Sequence, residues 1–231
     1  MAIQQFGKWD LRGVSDHALR RAEEYYTSGS RPARAERAAS VILLREAPLR
    51  VYMMRHVTGG PFADSKTATV VNRYGFPSGI HKPDDADVAS TGVREVEEET
   101  GSMVALQRAW ARWLTPEYEP DRYDVWIYVA TLAEGFQPRA NPREPEYATW
   151  LGPEQAVCQY GGQMSMPEAT ALAELSNFTT VGEVFAAAEQ RPMEPLLPRL
   201  NYNFDPPRLL LPGEENYPEY ATTIAEATSG W

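Results

Sequence analysis

The chain has 231 residues, 43% hydrophobic and 23% charged, which supports one sizeable core and does not require two full domains. Its formal net charge of −10 excludes a general nucleic-acid footprint, since phosphate backbones are held by surplus Lys and Arg. No stretch nears the run of about 18 apolar residues that a membrane span needs, and the opening MAIQQFGKWDLRG lacks the layout of a signal peptide. A lone cysteine, Cys158, allows no intrachain disulfide; it reads as a buried or partly buried small hydrophobe in a cytoplasmic protein.

In chain order, SDHALRRAEEYY (15–26) predicts a short helix with Ser15 as N-cap. A polar, Pro-containing stretch follows, then ASVILLR and LRVYMMR predict two strands joined by a tight turn. TGGPFADSK is a loop and TATVV a short strand, and GFPSG bends the chain. Residues 86–100 predict a Glu-rich helix that stops at Gly101. ALQRAWARWLT and YDVWIYVATLA predict strands around the loop PEYEPDR, and WLGPEQAV a strand end running into a helical turn. PEATALAELSNF and TTVGEVFAAAEQR predict two more helices. From Pro192 the chain turns Pro-rich and irregular, with one apolar island, RLLLPG. Strands enclosing a helix, followed by helices, indicate an α+β or α/β/α sandwich.

Chemistry concentrates between Gly79 and Gly101, GIHKPDDADVASTGVREVEEETG. Glu95, Glu98 and Glu99 stand at i, i+3 and i+4, so a helix presents all three carboxylates on one side, where they repel and need a compensating partner. A divalent cation is one such partner, because hard ions prefer oxygen ligands. Arg94 precedes Glu98 by four residues and can pair with it. Acidic runs of this kind are most often solvated helix faces. Here the run follows a Gly-rich turn, ends in Thr100-Gly101 and lies between strands.

The segment resembles the Nudix box, G-x5-E-x7-R-E-U-x-E-E-x-G-U with U a bulky apolar residue. Arg94 to Gly101, REVEEETG, matches the second half at every specified position, FPSG resembles the FPGG that often opens the box, and EYATWLGPEQAV resembles the family's last strand and short helix. Three positions depart. Counting back from Arg94 puts the box glycine at Ile80, whereas the glycine is Gly79. The loop glutamate has no counterpart, leaving Asp84, Asp85 and Asp87 as candidates to replace it. The closing apolar position is Ser102.

The resemblance implies a Nudix-type α/β/α sandwich with a mixed sheet: a core of about 38–160, an N-terminal extension 1–37 carrying a helix, and a C-terminal helical extension and tail 161–231, in one domain. It implies Mg²⁺ or Mn²⁺ as cofactor, with Glu98 and Glu99 as ligands, Glu95 as a further ligand and Arg94 orienting Glu98. Glu99, Glu98 or a loop carboxylate such as Glu146 would serve as general base.

The implied partner is a small nucleoside diphosphate derivative, with no nucleic acid or membrane, and a homodimer is open to such a chain. Arg55, Arg73 and the backbone at Gly79 are candidates to bind it, and Arg208 is a further one. RLLLPGEENYP and the long loop before FPSG resemble the Nudix subgroup with peroxisomal coenzyme A diphosphatases and their bacterial relatives. This implies coenzyme A or acyl-coenzyme A as substrate, with ADP-ribose and nucleotide sugars as alternatives. Trp110, Trp113, Trp126 and Trp150 offer stacking surface, though Trp110 and Trp126 read as core. A non-catalytic Nudix-like nucleotide-binding or regulatory module is the reading from another class.

Overall fold

The apolar run ASVILLR forms the body of β1 (Glu36–Arg45), buried continuously from residue 38 to 44 because helices cover both faces of the sheet. The structure, a computed structural model, describes residues 13–46, 48–56, 73–138 and 148–218. The expected strand TATVV (67–71) lies outside them. β2 (Arg50–His56) turns back antiparallel to β1, pairing Leu44 with Val51. Next, β3 (Arg73–Gly75) pairs with β2, and β4 (Ser78–Ile80) pairs with β1 through Ala39 and Gly79. The GFPSG segment is therefore more than a bend: it carries the ends of two short strands, and the chain at Phe76-Pro77 passes from one partner strand to the other. Val41 N–H donates to the Pro77 carbonyl at 2.9 Å and fixes that crossing.

β5 (Val104–Leu114), β6 (Tyr123–Leu132) and β7 (Ala148–Leu151) complete a mixed sheet of order β3-β2-β1-β6-β5, with β7 on β2. α2 (Val88–Thr100) lies on one face. Asp87 caps it, accepting from Ser90 N–H at 2.7 Å while Ser90 Oγ accepts from Asp87 N–H. Gly101 ends it with φ 64°, a left-handed conformation that glycine adopts without steric cost. Ala39, Val41, Leu43, Tyr52, Tyr128 and Val96 form the core between α2 and the sheet. Gly92 sets the spacing there: a Cβ on it would stand 2.8 Å from Val41 Cγ2.

Three helices follow β7: α3 (Pro153–Tyr160), α4 (Met166–Leu175) and α5 (Val181–Ala188). α4 is buried along nearly its whole length and crosses the opposite face, from Gly75 on β3, which meets Glu168, to Trp110 on β5. Gln107 bonds to α2 through the Ala89 carbonyl, whereas Trp110, three residues on, faces α4. The opposed directions of these two β5 side chains establish the α/β/α layering. Trp110 has no solvent exposure; its indole N–H donates to Glu174 at 2.9 Å, and the Arg191 guanidinium lies 4.2 Å from its ring.

By internal contacts the chain divides into two compact units. The larger is Glu36–Arg112 with Val125–Glu194; the described parts of the smaller are residues 13–35, 113–124 and 195–218. In the smaller unit α1 (Asp16–Ser28), capped by Ser15, packs Ala22 against Tyr118 and Leu200. Its stretch after Pro192, irregular in the sequence reading, contains a hairpin of β8 (Arg199–Asn201) and β9 (Arg208–Leu210). One expectation is overturned: Cys158 is exposed, because the buried stripe of α3 is carried by Ala156 and Val157 and the next residue turns outward. No helix among the described residues is long and apolar enough to cross a membrane.

Candidate functional site

α2 carries REVEEET in its last two turns, and the loop 81–87 folds back over Arg94. Arg94 is the hub. Its Nε donates to Asp85 Oδ1 at 2.8 Å and its Nη2 to Asp85 Oδ2 at 2.9 Å, a bidentate pair. Nη1 reaches Glu95 and also Glu98 Oε2 at 3.2 Å, and Nη2 further donates to the Ile80 carbonyl at 3.0 Å. Asp85 also accepts from Lys82 N–H at 2.9 Å and from the Thr91 hydroxyl at 3.0 Å, and its side chain is only 6% exposed. The Arg94 hydrogen bonds hold the Asp85 carboxyl well below the usual carboxylate range, and Asp85 in turn holds the guanidinium firmly protonated.

Three aspartates in this loop were candidates to hold the box arginine, and the geometry separates them. Asp85 makes the pair, Asp87 caps α2, and Asp84 is exposed. Asp85 keeps the five-residue box spacing from Gly79, with Lys82 N–H closing a tight turn onto it, so the additional residue of the loop falls between Asp85 and Arg94.

Glu95 is buried, with its carboxyl lying against the Gly79 backbone so closely that any Cβ at position 79 would collide with it. Gly79 is thereby required on β4 by a close approach. Glu98, 49% exposed, accepts from Lys82 Nζ at 3.4 Å as well as from Arg94. Glu99 is half-buried on the same side of the helix, and Glu97 is exposed. Among the described residues no three acidic, histidine or cysteine side chains converge into a ready-made cation cage. The donor set is nonetheless all carboxylate oxygen, the type that Mg²⁺ and Mn²⁺ accept while keeping several waters or phosphate oxygens of their own.

The other expected residues scatter. Arg55 is half-buried on β2 opposite Tyr74, and Arg73 heads β3 opposite His56. Glu146 lies outside the described residues, and Arg208 belongs to the smaller unit. Trp110 and Trp113 are buried. Trp126 is half-buried under Arg112, 5.1 Å from its ring, and Trp150 lies under Arg45 at 4.6 Å. Trp150, Arg45, Glu46 and Phe136 line a cavity of about 350 Å³ at the end of β1 away from the Ala39–Gly79 pair. His81 is tied to Thr91 Oγ1 at 2.9 Å. Lys82 and Glu168 escaped the sequence reading. Lys82 stands in the loop without a motif of its own. Glu168 carried one signal, the Ser165-x-x-Glu168 capping spacing, and nothing that pointed to the box.

Residues 34–172, well over half of the chain, match the NUDIX domain model, and the chain belongs to that family. It is 32% identical over 107 residues to the mitochondrial coenzyme A diphosphatase NUDT8 of Mus musculus, a match covering 45% of this chain and 45% of that protein. The chain thus spans just under half the length of this curated relative. Among solved structures, a NUDIX hydrolase from Alicyclobacillus acidocaldarius superposes with a TM-score of 0.57 at 16% identity, over 69% of this chain and 99% of that one. That likeness shows the fold: a Nudix α/β/α sandwich.

Proposed function

We propose that this chain hydrolyses the diphosphate linkage of a nucleoside diphosphate derivative with a divalent cation bound at Glu95, Glu98 and Glu99. The observation that carries the reading is the Arg94 hub, which fixes Asp85 and Glu95 and leaves Glu98 half-exposed beside Glu99. When bound, Mg²⁺ or Mn²⁺ would neutralise diphosphate oxygens and acidify an attacking water. Arg94 holds the helix carboxylates in one orientation, Gly79 lets Glu95 sit against the backbone, and Glu98, which Lys82 holds at 3.4 Å, would be among the residues that hold the cation. The proton of the attacking water passes to Glu99, Glu98 or Glu146, and Arg55 and Arg73 are assigned to the substrate phosphates. Coenzyme A or an acyl derivative is the substrate assigned here, supported by the name of the mouse relative and by RLLLPGEENYP. Water would add to one phosphorus of the diphosphate and its bridging oxygen would leave, giving 4′-phosphopantetheine or its acyl form and adenosine 3′,5′-bisphosphate. A homodimer working in the cytoplasm completes the proposal.

The test is a panel of coenzyme A, dephospho-coenzyme A, ADP-ribose and a nucleotide sugar with Mg²⁺ or Mn²⁺, with products identified by mass and kcat/KM compared. A preference above tenfold for ADP-ribose or a nucleotide sugar overturns the coenzyme A assignment alone. No cation-dependent cleavage of any compound overturns the hydrolase. A binding-only module is the second reading, favoured by the neutralisation that Lys82 and Arg94 already give Glu98; it requires binding without turnover in the same panel.

A further inference from the structure

We propose that Glu168 is a positioning residue for the box: from α4 it clamps the Gly75-Phe76 backbone, and through that turn it sets the seat of Glu95. The inference rests on the reading that Glu95, Glu98 and Glu99 hold a divalent cation.

Glu168 is 4% exposed, and its two oxygens do different work. Oε2 accepts from Ser165 N–H at 3.2 Å and from Ser165 Oγ at 2.6 Å, which closes the capping box of α4. Oε1 points away from that cap. It lies against Gly75, where a Cβ would come within 2.5 Å of it, and accepts from Phe76 N–H at 3.4 Å. Helix capping alone does not need this. Glu183 occupies the same position of the capping box in α5, is exposed, and among the described residues bonds to Thr179 and Thr180 of its own cap. Burying a carboxylate with no cation within ion-pair distance among the described residues costs stability, and such placements concentrate where structure serves a site.

The turn that Glu168 touches is gripped on both sides. Phe76 is fully buried, the Pro77 carbonyl accepts from Val41 N–H, and Gly79 pairs with Ala39. Three residues separate the two glycines of GFPSG, and each glycine lies against a buried carboxylate: Gly75 against Glu168 from α4, Gly79 against Glu95 from α2. The segment is thus seated between the two helical layers by one glutamate from each. A shift at Phe76 passes along three residues to the backbone that supports Glu95, and groups that orient metal ligands change metal affinity about 10- to 100-fold.

The test measures Mn²⁺ binding by loss of the free-ion paramagnetic resonance signal, on the full chain, for wild type, Glu168→Gln, Gly75→Ala and Glu183→Gln. In Glu168→Gln the amide NH₂ must face either Ser165 N–H or Phe76 N–H, donor against donor. Glu168→Gln and Gly75→Ala should each raise the Kd for Mn²⁺ about tenfold, and Glu183→Gln should leave it unchanged although it too weakens a helix cap. Amide exchange across residues 74–80 should quicken in Glu168→Gln and not in Glu183→Gln. Wild-type Mn²⁺ affinity in Glu168→Gln overturns the proposal whatever the exchange shows, and so does equal weakening in Glu183→Gln. If Glu168→Gln fails to fold, Gly75→Ala decides by the same measure. If the wild type binds no Mn²⁺, the cation reading fails separately and exchange at 74–80 decides: protection kept in Glu168→Gln ends the clamp, and protection lost sustains it.

Discussion

Arg94 in the larger unit and Arg199 in the smaller are both half-buried arginines at the centre of a polar cluster, and the charge gathered round them differs. Arg94 meets Asp85, Glu95 and Glu98, with Lys82 as a second cation on Glu98. Arg199 pairs with Glu117 at 2.9 Å, donates to the Pro218 carbonyl and lies over the Tyr217 ring. The Glu117 pair and the Pro218 bond tie chain segments together. A cluster in which carboxylates outnumber cations, even before Glu99 is included, carries a residual negative charge that one more cation would relieve. That surplus is what the proposed cation at Glu95, Glu98 and Glu99 would relieve.

The contrast can be broken most sharply at the outer carboxylates. Glu98→Gln and Glu99→Gln should each lower Mg²⁺-supported hydrolysis by about 100-fold, with the melting curve close to wild type. Turnover near wild type in both at saturating Mg²⁺ would remove the functional half of the comparison.

The next largest effect lies at the hub. Arg94→Met leaves Asp85 and Glu95 buried without their cation and should cost about 3–5 kcal/mol. Arg199→Met takes the cation from Glu117 and should cost about 1.5–3 kcal/mol. Urea unfolding of both variants checks the order, and a larger loss for Arg199 contradicts the charge count.

Asp85→Ala should lower stability by about 1.5–3 kcal/mol, and the exposed Asp84→Ala by nothing measurable. The pH sign follows from the depressed carboxyl. The unfolded chain takes up the proton first, near the ordinary aspartate value of about 3.9, so the contribution of Asp85 is complete above that pH and fades as pH falls toward the folded value. Unfolding free energy between about pH 5 and pH 3 should therefore fall less steeply in Asp85→Asn than in wild type. Parallel slopes would show that Asp85 is not the group responsible. The smallest effect is at Asp87, whose change to alanine removes an N-cap and should cost about 1 kcal/mol, read as a small drop in Tm.

Local pattern made much of the larger unit legible. ASVILLR, YDVWIYVATLA and the Glu-rich helix announce β1, β6 and α2 because burial and helical spacing are written residue by residue. The side-chain contacts were less accessible. Arg94 could have taken Asp84, Asp85 or Asp87, and only the path of the lengthened loop selects Asp85. Glu168 is separated from Phe76 by 92 residues, and its burial comes from α4 crossing the sheet, a tertiary arrangement that no local window contains. The β8–β9 hairpin escaped notice because its strands are three residues long and sit among prolines. The exposure of Cys158 is not legible in the sequence because a lone residue on an eight-residue helix has no periodicity to place it.

Gly92 has a consequence for motion. A helix-interior glycine costs about 1 kcal/mol relative to alanine, and here it allows α2 to come close enough to the sheet that even a methyl would meet Val41. Its neighbours Thr91, Arg94 and Glu95 all carry side chains, so turning the helix, or sliding it by one turn, would drive one of them into the space that only Gly92 leaves. Displacement of α2 is thus costly, whereas the exposed side chains of Glu98 and Lys82 are free to change rotamer on the picosecond-to-nanosecond scale. Relaxation-dispersion experiments should find the α2 amides silent, whether or not a cation is present.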